Sequence, residues 1–315
     1  MSFLSTAVQN VLEEGQFCMV TASTPNGPHC TPLVFTLSAG KVWLTTSRGS
    51  VKARAWRIDA GVAGLVRHGE LAVTFTGTVS AFDLLDRNTW GAVASGAPQL
   101  ARASLKFSRK NARFFAGYAV DAKQVPFAWT PPGRVFVGID VDRTALLDED
   151  GVQEGSSRWG GEVASHPTFR AWRKGADPLA KLPFDVRGSL GSSGDGALAV
   201  AGSRGPVVIP TRWLVDGGAL YAALPMETLA LADAGPDAPV ALAIDRPSVW
   251  RAREMVGTMV QGSAELFALD RLESGARSAK AVLKTIHPGA DALARIVPSR
   301  LVWWHGWSSG SAKVA

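Results

Sequence analysis

Apolar residues along this chain mostly alternate with polar ones or run in short strand-length blocks, broken by Gly, Pro and Asn. Helical spacing is confined to a few segments. Near the start, Leu4, Val8, Val11 and Leu12 recur at helical intervals and Gly15 closes the run, which predicts a short helix. The period then changes. Residues 17–23 and 29–37 read as strands joined by the turn Pro25-Asn26-Gly27, and 41–46 follow Ala39-Gly40 as a third strand. A tight loop over 47–50 leads into a short helix reaching about residue 59. Residues 61–66 and 71–81 supply two more strands, 89–117 return to helical spacing, and 134–140 form a closing strand.

The pattern repeats. A shift of 178 residues aligns Gly27-Pro28 with Gly205-Pro206, Pro32 with Pro210, and Gly40 with Gly218. The same shift aligns Asp59-Ala60 with Asp237-Ala238 and Val62-Ala63 with Val240-Ala241, while Phe35 falls on Trp213 and Trp43 on Tyr221. These matches sit on the turns and strand starts that backbone geometry constrains most. After small length changes, Gly77 matches Gly262 and Pro132-x-Arg134 matches Pro298-x-Arg300. The expected organisation is a first copy over 1–147, a linker over 148–194 and a second copy over 195–315. The linker is rich in Gly, Ser and charge, and its helical patch over 167–174 leaves open whether it packs as an extra helix or only wraps one copy onto the other.

Composition narrows the classes of function. With 46% hydrophobic and 19% charged residues in 315, the chain is an ordinary globular sequence of two-domain size. Its net charge of +6 is spread along the whole length, with no zinc-knuckle or RNA-recognition spacing, so it suits a phosphorylated small molecule and not a nucleic acid. The two cysteines, Cys18 and Cys30, lie in predicted strands and read as small core residues of a reducing compartment. No apolar run reaches membrane length, and no basic segment followed by an apolar core opens the chain, so a cytoplasmic protein without a membrane partner is expected. Paired carboxylates at active-site spacing, Gly-x-Ser-x-Gly and metal-ligand clusters are all missing from the sequence, which speaks against hydrolytic and metal chemistry and nominates no catalytic acid or base.

The stretch that carries chemistry is Thr45-Thr46-Ser47-Arg48-Gly49-Ser50-Val51-Lys52-Ala53-Arg54. A strand ends in hydroxyls, a glycine turns the chain, and Ser50 stands where a helix N-cap belongs. Unpaired backbone N–H groups and the positive end of the helix would face the loop. Arg48 and Lys52 lie four apart and could meet on one anion, with Arg54 as a second contact. The alternative is an ordinary solvated helix cap.

Together, Gly27-x-His29-x-x-Pro32, this loop and Asp59-Ala60-Gly61-Val62-Ala63 resemble the pyridoxamine 5'-phosphate oxidase-like superfamily. The resemblance is good over residues 10–85, looser over the rest of the first copy and faint over 195–310. It implies a mainly β, α+β fold of two split β-barrels fused as an intrachain pseudo-dimer. It also implies FMN as cofactor, or a deazaflavin, with Thr45, Thr46, Ser47, Arg48, Ser50 and Lys52 as phosphate and ribityl contacts. A flavin-dependent oxidoreductase acting on a small-molecule substrate or electron donor follows from that likeness, as a monomeric pseudo-dimer or a homodimer.

There are departures from the family pattern. Many relatives carry Asn where this chain has Ala55. The second copy places Pro225-Met226-Glu227-Thr228-Leu229-Ala230 opposite the phosphate loop, so Lys52 falls on Ala230 and a carboxylate is added at Glu227. One composite site is therefore expected, with phosphate groups from the first copy and part of the ring pocket from the second.

At the C-terminal end, Arg300-Leu301-Val302-Trp303-Trp304-His305-Gly306-Trp307 is aromatic-rich, and the resemblance implies that Trp304, or Trp303, flanks the cofactor ring. The alternative is that the tryptophans fill the seam between the barrels. His305, or another His, raises a second reading, a heme or tetrapyrrole protein; a third is a non-catalytic flavin-binding or scaffold protein. Arg102, Lys106, Arg109 and Arg113 share one helical face, either simply solvated or a dock for an acidic cofactor tail.

Overall fold

The computed structural model describes residues 4–314, apart from 84, 122, 128–129, 131–132, 157–158 and 171–174. The first helix, α1 (Thr6–Glu14), is capped by Ser5, whose hydroxyl accepts from the Val8 N–H, and it buries Val8, Val11 and Leu12. Then come β1 (Phe17–Thr24), β2 (Gly27–Ser38), β3 (Lys41–Ser47), α2 (Val51–Ala55), β4 (Gly61–His68) and β5 (Leu71–Phe82). Two helices, α3 (Trp90–Lys110) and α4 (Ala112–Val120), lead to β6 (Arg134–Leu147) and β7 (Val152–Gly155).

The strands pair in the order β3-β2-β1-β4-β5-β6-β7, and a further β3–β6 pairing closes the first six into a barrel. Closure removes the sheet edges that an open antiparallel sheet would expose. The barrel is filled by Leu12, Val20, Phe35, Leu44, Val66, Phe75 and Ile139, among others.

The second half rebuilds this arrangement. After α5 (Phe184–Leu190) come β8 (Ser193–Gly202), β9 (Gly205–Asp216), β10 (Ala219–Leu224), α6 (Met226–Ala230), β11 (Asp237–Arg246) and β12 (Val256–Ala268). Helix α7 (Ala276–Ile286), β13 (Ala292–His305) and β14 (Ser308–Lys313) complete it. The strand order is β10-β9-β8-β11-β12-β13-β14, closed by β10–β13. One topology is used twice, as a tandem duplication requires.

Several local details carry over with it. Gly27 and Gly205 open their hairpins with φ of 91° and 99°, a region that favours glycine. Gly77 and Gly262 each sit at a register shift, where a Cβ would run into the backbone carbonyl of Asp140 or of Val297. The strand registers also correct one match. Val42 pairs with Ile139, and its counterpart Leu220 pairs with Ile296. Ile139 therefore corresponds to Ile296, which puts Arg143, not Arg134, opposite Arg300; Pro132 lies outside the described residues.

Elsewhere the elements differ from the expected ones in instructive ways. The helical stretch over 89–117 is two helices, broken at buried Asn111, whose Nδ2 donates to the carbonyls of Phe107 and Phe35. The linker does contribute a helix, but it is α5. The described part of the 167–174 patch is extended, with Thr168 bridged to Ser274, and 171–174 lie outside the described residues.

The largest apolar cluster fills the second barrel and continues into the first through Cys30, Ala63, Leu65, Ala72 and Leu147. The linker adds Val163, Leu179, Leu182, Val186 and Leu190 to that cluster. Both cysteines are buried and unbridged. No helix among the described residues is long and apolar enough to cross a membrane.

Candidate functional site

Both barrels contribute walls to a cavity of about 330 Å³, within the usual range of small-molecule sites. The first barrel lends Thr31 and Val34 from β2, Thr45, Thr46 and Ser47 from β3, then Ser50, Lys52 and Arg134. The second barrel lends Met255 from the turn before β12 and Val302, Trp303 and Trp304 from β13. Helix α4 contributes Phe114, Phe115 and Tyr118. One end is thus rich in hydroxyls and cations, and the rest is aromatic.

At the polar end, Ser50 caps α2 by accepting from the Ala53 N–H at 3.1 Å, and its hydroxyl is 3.0 Å from that of Thr46. Helix α2 has five residues, too few for an appreciable macrodipole, so side chains supply the positive potential. Lys52 is 4% exposed and donates to the Thr31 hydroxyl. Burial pulls its pKa down to about 8, with Arg134 adding to the fall and Cys30 opposing it. Arg134 pairs across the barrel closure with Ser47 and donates from Nε to the Thr45 hydroxyl at 2.9 Å. Burial lowers its pKa as well. A bound anion would relieve both desolvated cations.

Along the aromatic wall, the Trp304 ring lies over Gly257, where any Cβ would strike it, and the Trp303 ring lies over Gly310. Glycine opposite each tryptophan lets the rings lie flat on their neighbouring strands. Trp304 Nε1 is buried with no hydrogen-bond partner among the described residues. Tyr118 meets Trp307 edge to face at 5.3 Å, and burial raises its phenol to about 12. His29 also lines the cavity; burial, then Lys52 and Arg300, depress its imidazole to about 3, so it is neutral.

The sequence-nominated residues divide. Thr45, Thr46, Ser47, Ser50, Lys52 and Trp304 come together in the cavity. Arg48 and Arg54 do not. Arg48 turns to Asp83, a buried carboxylate 2.9 Å away, and Arg54 lies on the other side of α2 along a separate groove. Four-residue spacing brings Arg48 and Lys52 together only on a continuous helix, and Arg48 lies in the turn before it. His305 pairs with Asp185 of α5 at 2.6 Å and does not line the cavity.

The basic helical face is solvated. Arg102 and Arg109 are exposed, Lys106 pairs with Glu13 at 2.9 Å, and Arg113 sits over the Trp250 ring. Sequence reasoning missed Thr31, Arg134 and Tyr118. Barrel closure brings Arg134 in, and the aromatic spacing of Phe114, Phe115 and Tyr118 on one helix was the available signal for the third.

The counterpart position in the other half is a smaller cavity, about 210 Å³, lined by Pro210, Thr211, Arg212, Ala223 and Leu224. By the 178-residue shift these replace Pro32, Leu33, Val34, Thr45 and Thr46. Arg212 fills the space with ion pairs, at 2.5 Å to Glu149 and 3.7 Å to Asp195. The loop is also shorter. Residues 48–50 separate β3 from α2, whereas Pro225 alone separates β10 from α6. Counted from the helix caps, Lys52 corresponds to Glu227; by the gapless shift it corresponds to Ala230. Neither alignment leaves a cation there.

Among solved structures, the chain is similar to a pyridoxamine 5'-phosphate oxidase-related, FMN-binding protein from Nostoc punctiforme, at 16% identity, covering 44% of this chain and 77% of that one, with a TM-score of 0.32. It is similar to a FAD-binding protein from Mesorhizobium loti, at 18% identity, 45% and 94% coverage and a TM-score of 0.32. General Stress Protein 26 from Bacillus anthracis matches at 13% identity, 47% and 92% coverage and a TM-score of 0.31. No family model and no curated protein matches the chain. Strand order and barrel closure, found twice, decide the architecture. The fold is the split β-barrel, built twice. In this doubled split barrel the sites between the halves are unequal, one polar and open, the other crossed by ion pairs.

Proposed function

We propose that this doubled split barrel binds one flavin per chain, FMN or a deazaflavin, in the cavity between its halves and serves as an oxidoreductase. The observation that carries the reading is the division of the cavity. Hydroxyls of Thr46 and Ser50 with Lys52 and Arg134 gather at one end, and Trp303, Trp304 and Tyr118 line the rest. A phosphate suits the first end and a flat, partly apolar ring the second. The flavin would supply hydride or electron transfer. The residues of the chain would bind the phosphate, flank the ring and exclude water from it. The heme reading through His305 has less support, because His305 pairs with Asp185 and does not line the cavity; His29, which does, is the histidine that a heme would have to use.

The test is reconstitution of purified protein with FMN, deazaflavin and heme, followed by absorption spectra and titration. One flavin per chain is expected. Two per chain with similar affinity would overturn the single-site reading, and uptake of neither flavin nor deazaflavin would overturn the function. A reducible bound flavin that reacts with no donor or acceptor would leave a binding protein in place of an enzyme.

A further inference from the structure

The phosphate end of the cavity adjoins a second, larger opening. A groove of about 530 Å³ is lined by Val51, Arg54 and Ala55 of the first barrel and by Gln261, Arg300 and Val302 of the second. His29 and Val302 line both spaces and form the wall between them. Helix α2 stands between the two. Ser50 and Lys52 face the cavity, and Val51, Arg54 and Ala55 face the groove. Arg54 is exposed and makes no ion pair among the described residues. Arg300 reaches the Ser311 hydroxyl at 2.9 Å, and its charge is felt by His29, whose pKa it helps to depress. The acidic residue in the groove is Asp59, and its Oδ1 is already taken by the Gly61 N–H at 2.9 Å. Like charges brought from two barrels to one groove repel unless an anion joins them.

We propose that the Arg54–Arg300 groove is an anion subsite, and that it receives a second anionic group of the molecule whose phosphate rests on Lys52. This rests on the flavin reading above and narrows it, from FMN to a flavin or deazaflavin that continues past its first phosphate. A diphosphate or a carboxylate-bearing extension has the required chemistry. The same arginines would also hold a separate small anion, and the test divides these sources.

Three probes are compared by titration at low and high salt: FMN, FAD as its diphosphate-extended form, and FMN with added inorganic pyrophosphate. FAD is expected to bind more tightly than FMN, with the advantage shrinking as salt rises. Arg54→Ala and Arg300→Ala should each cost about tenfold in FAD affinity, the low end for a charge-assisted contact, and leave FMN unchanged. Arg54→Lys should recover most of the loss. Thermal melts identify any variant that fails to fold, and Arg54, exposed on a helix, is the safer substitution.

FAD affinity that equals FMN affinity and ignores both substitutions, with pyrophosphate also indifferent to them, would overturn the subsite while leaving the flavin site standing. Arginine-dependent binding of pyrophosphate without any gain for FAD would support the subsite and assign it to a separate anion. If neither these flavins nor a deazaflavin binds, the function proposed above fails. Pyrophosphate binding that depends on both arginines would then still uphold the groove, and its absence would sink both.

Discussion

Gln261 of the second barrel donates from Nε2 to the carbonyl of Pro28 in the first, at 2.8 Å and fully buried. Pro28 precedes His29, which lines both the cavity and the groove. The adjacent Cys30 N–H points to Met259 Sδ at 3.0 Å. One edge of β12 thus holds the strand that shapes the site. Gln261→Leu keeps the volume but leaves the Pro28 carbonyl buried without a donor. It should cost about 1–3 kcal/mol in urea unfolding. A wild-type midpoint would show that the barrels do not depend on this bond.

Lys52 links stability to binding. Its pKa of about 8 lies below the ordinary 10.5, so between those values the unfolded chain holds more protons than the folded one. Stability from this group therefore rises with pH through that window, and below about pH 8 the full cost of the buried charge is borne. Lys52→Met should stabilise the ligand-free protein at pH 7 by on the order of 1–3 kcal/mol and flatten the rise between pH 8 and 10.5. The same variant should lose about 1.5–3 kcal/mol of flavin affinity. Unfolding curves at pH 7 and 9.5, with flavin titrations, check both halves. A destabilised variant that binds flavin normally would contradict the assignment.

The aromatic wall depends on a glycine. A Cβ at Gly257 would enter the Trp304 indole and approach the Ile244 carbonyl, so Gly257→Ala must move the ring. The expected cost is about 1–3 kcal/mol in stability, together with weaker flavin binding and altered tryptophan emission. Unchanged flavin affinity despite a shifted emission would remove Trp304 from the site.

Much of this was legible in the residues. Alternation and turn chemistry give each strand of the barrels, since period-two patterning and Gly-Pro turns are local signals. The duplication showed as Gly27-Pro28 against Gly205-Pro206 because positive-φ turns tolerate few substitutions. Matching the last strands by Pro-x-Arg misled, because their alignment is fixed by pairing with β3 and β10, not by side-chain identity. Arg48 and Arg54 fall outside the cavity for a related reason. Sequence spacing shows that charges are near along the chain, but the turn and the helix face decide where each one points.

The sequence alone determined the six barrel strands of the first copy, their repetition and the chemical inequality of the two loops, Lys52 in one and Glu227 in the other. Those are local properties, fixed by side-chain type and backbone propensity. Tertiary structure decided which residues share a cavity. Closure of β3 on β6 delivers Arg134 to Ser47, and docking of the barrels delivers Trp304 to the first half's hydroxyls. Those meetings come from burying apolar faces of distant strands against each other, a long-range event that no short stretch of sequence records.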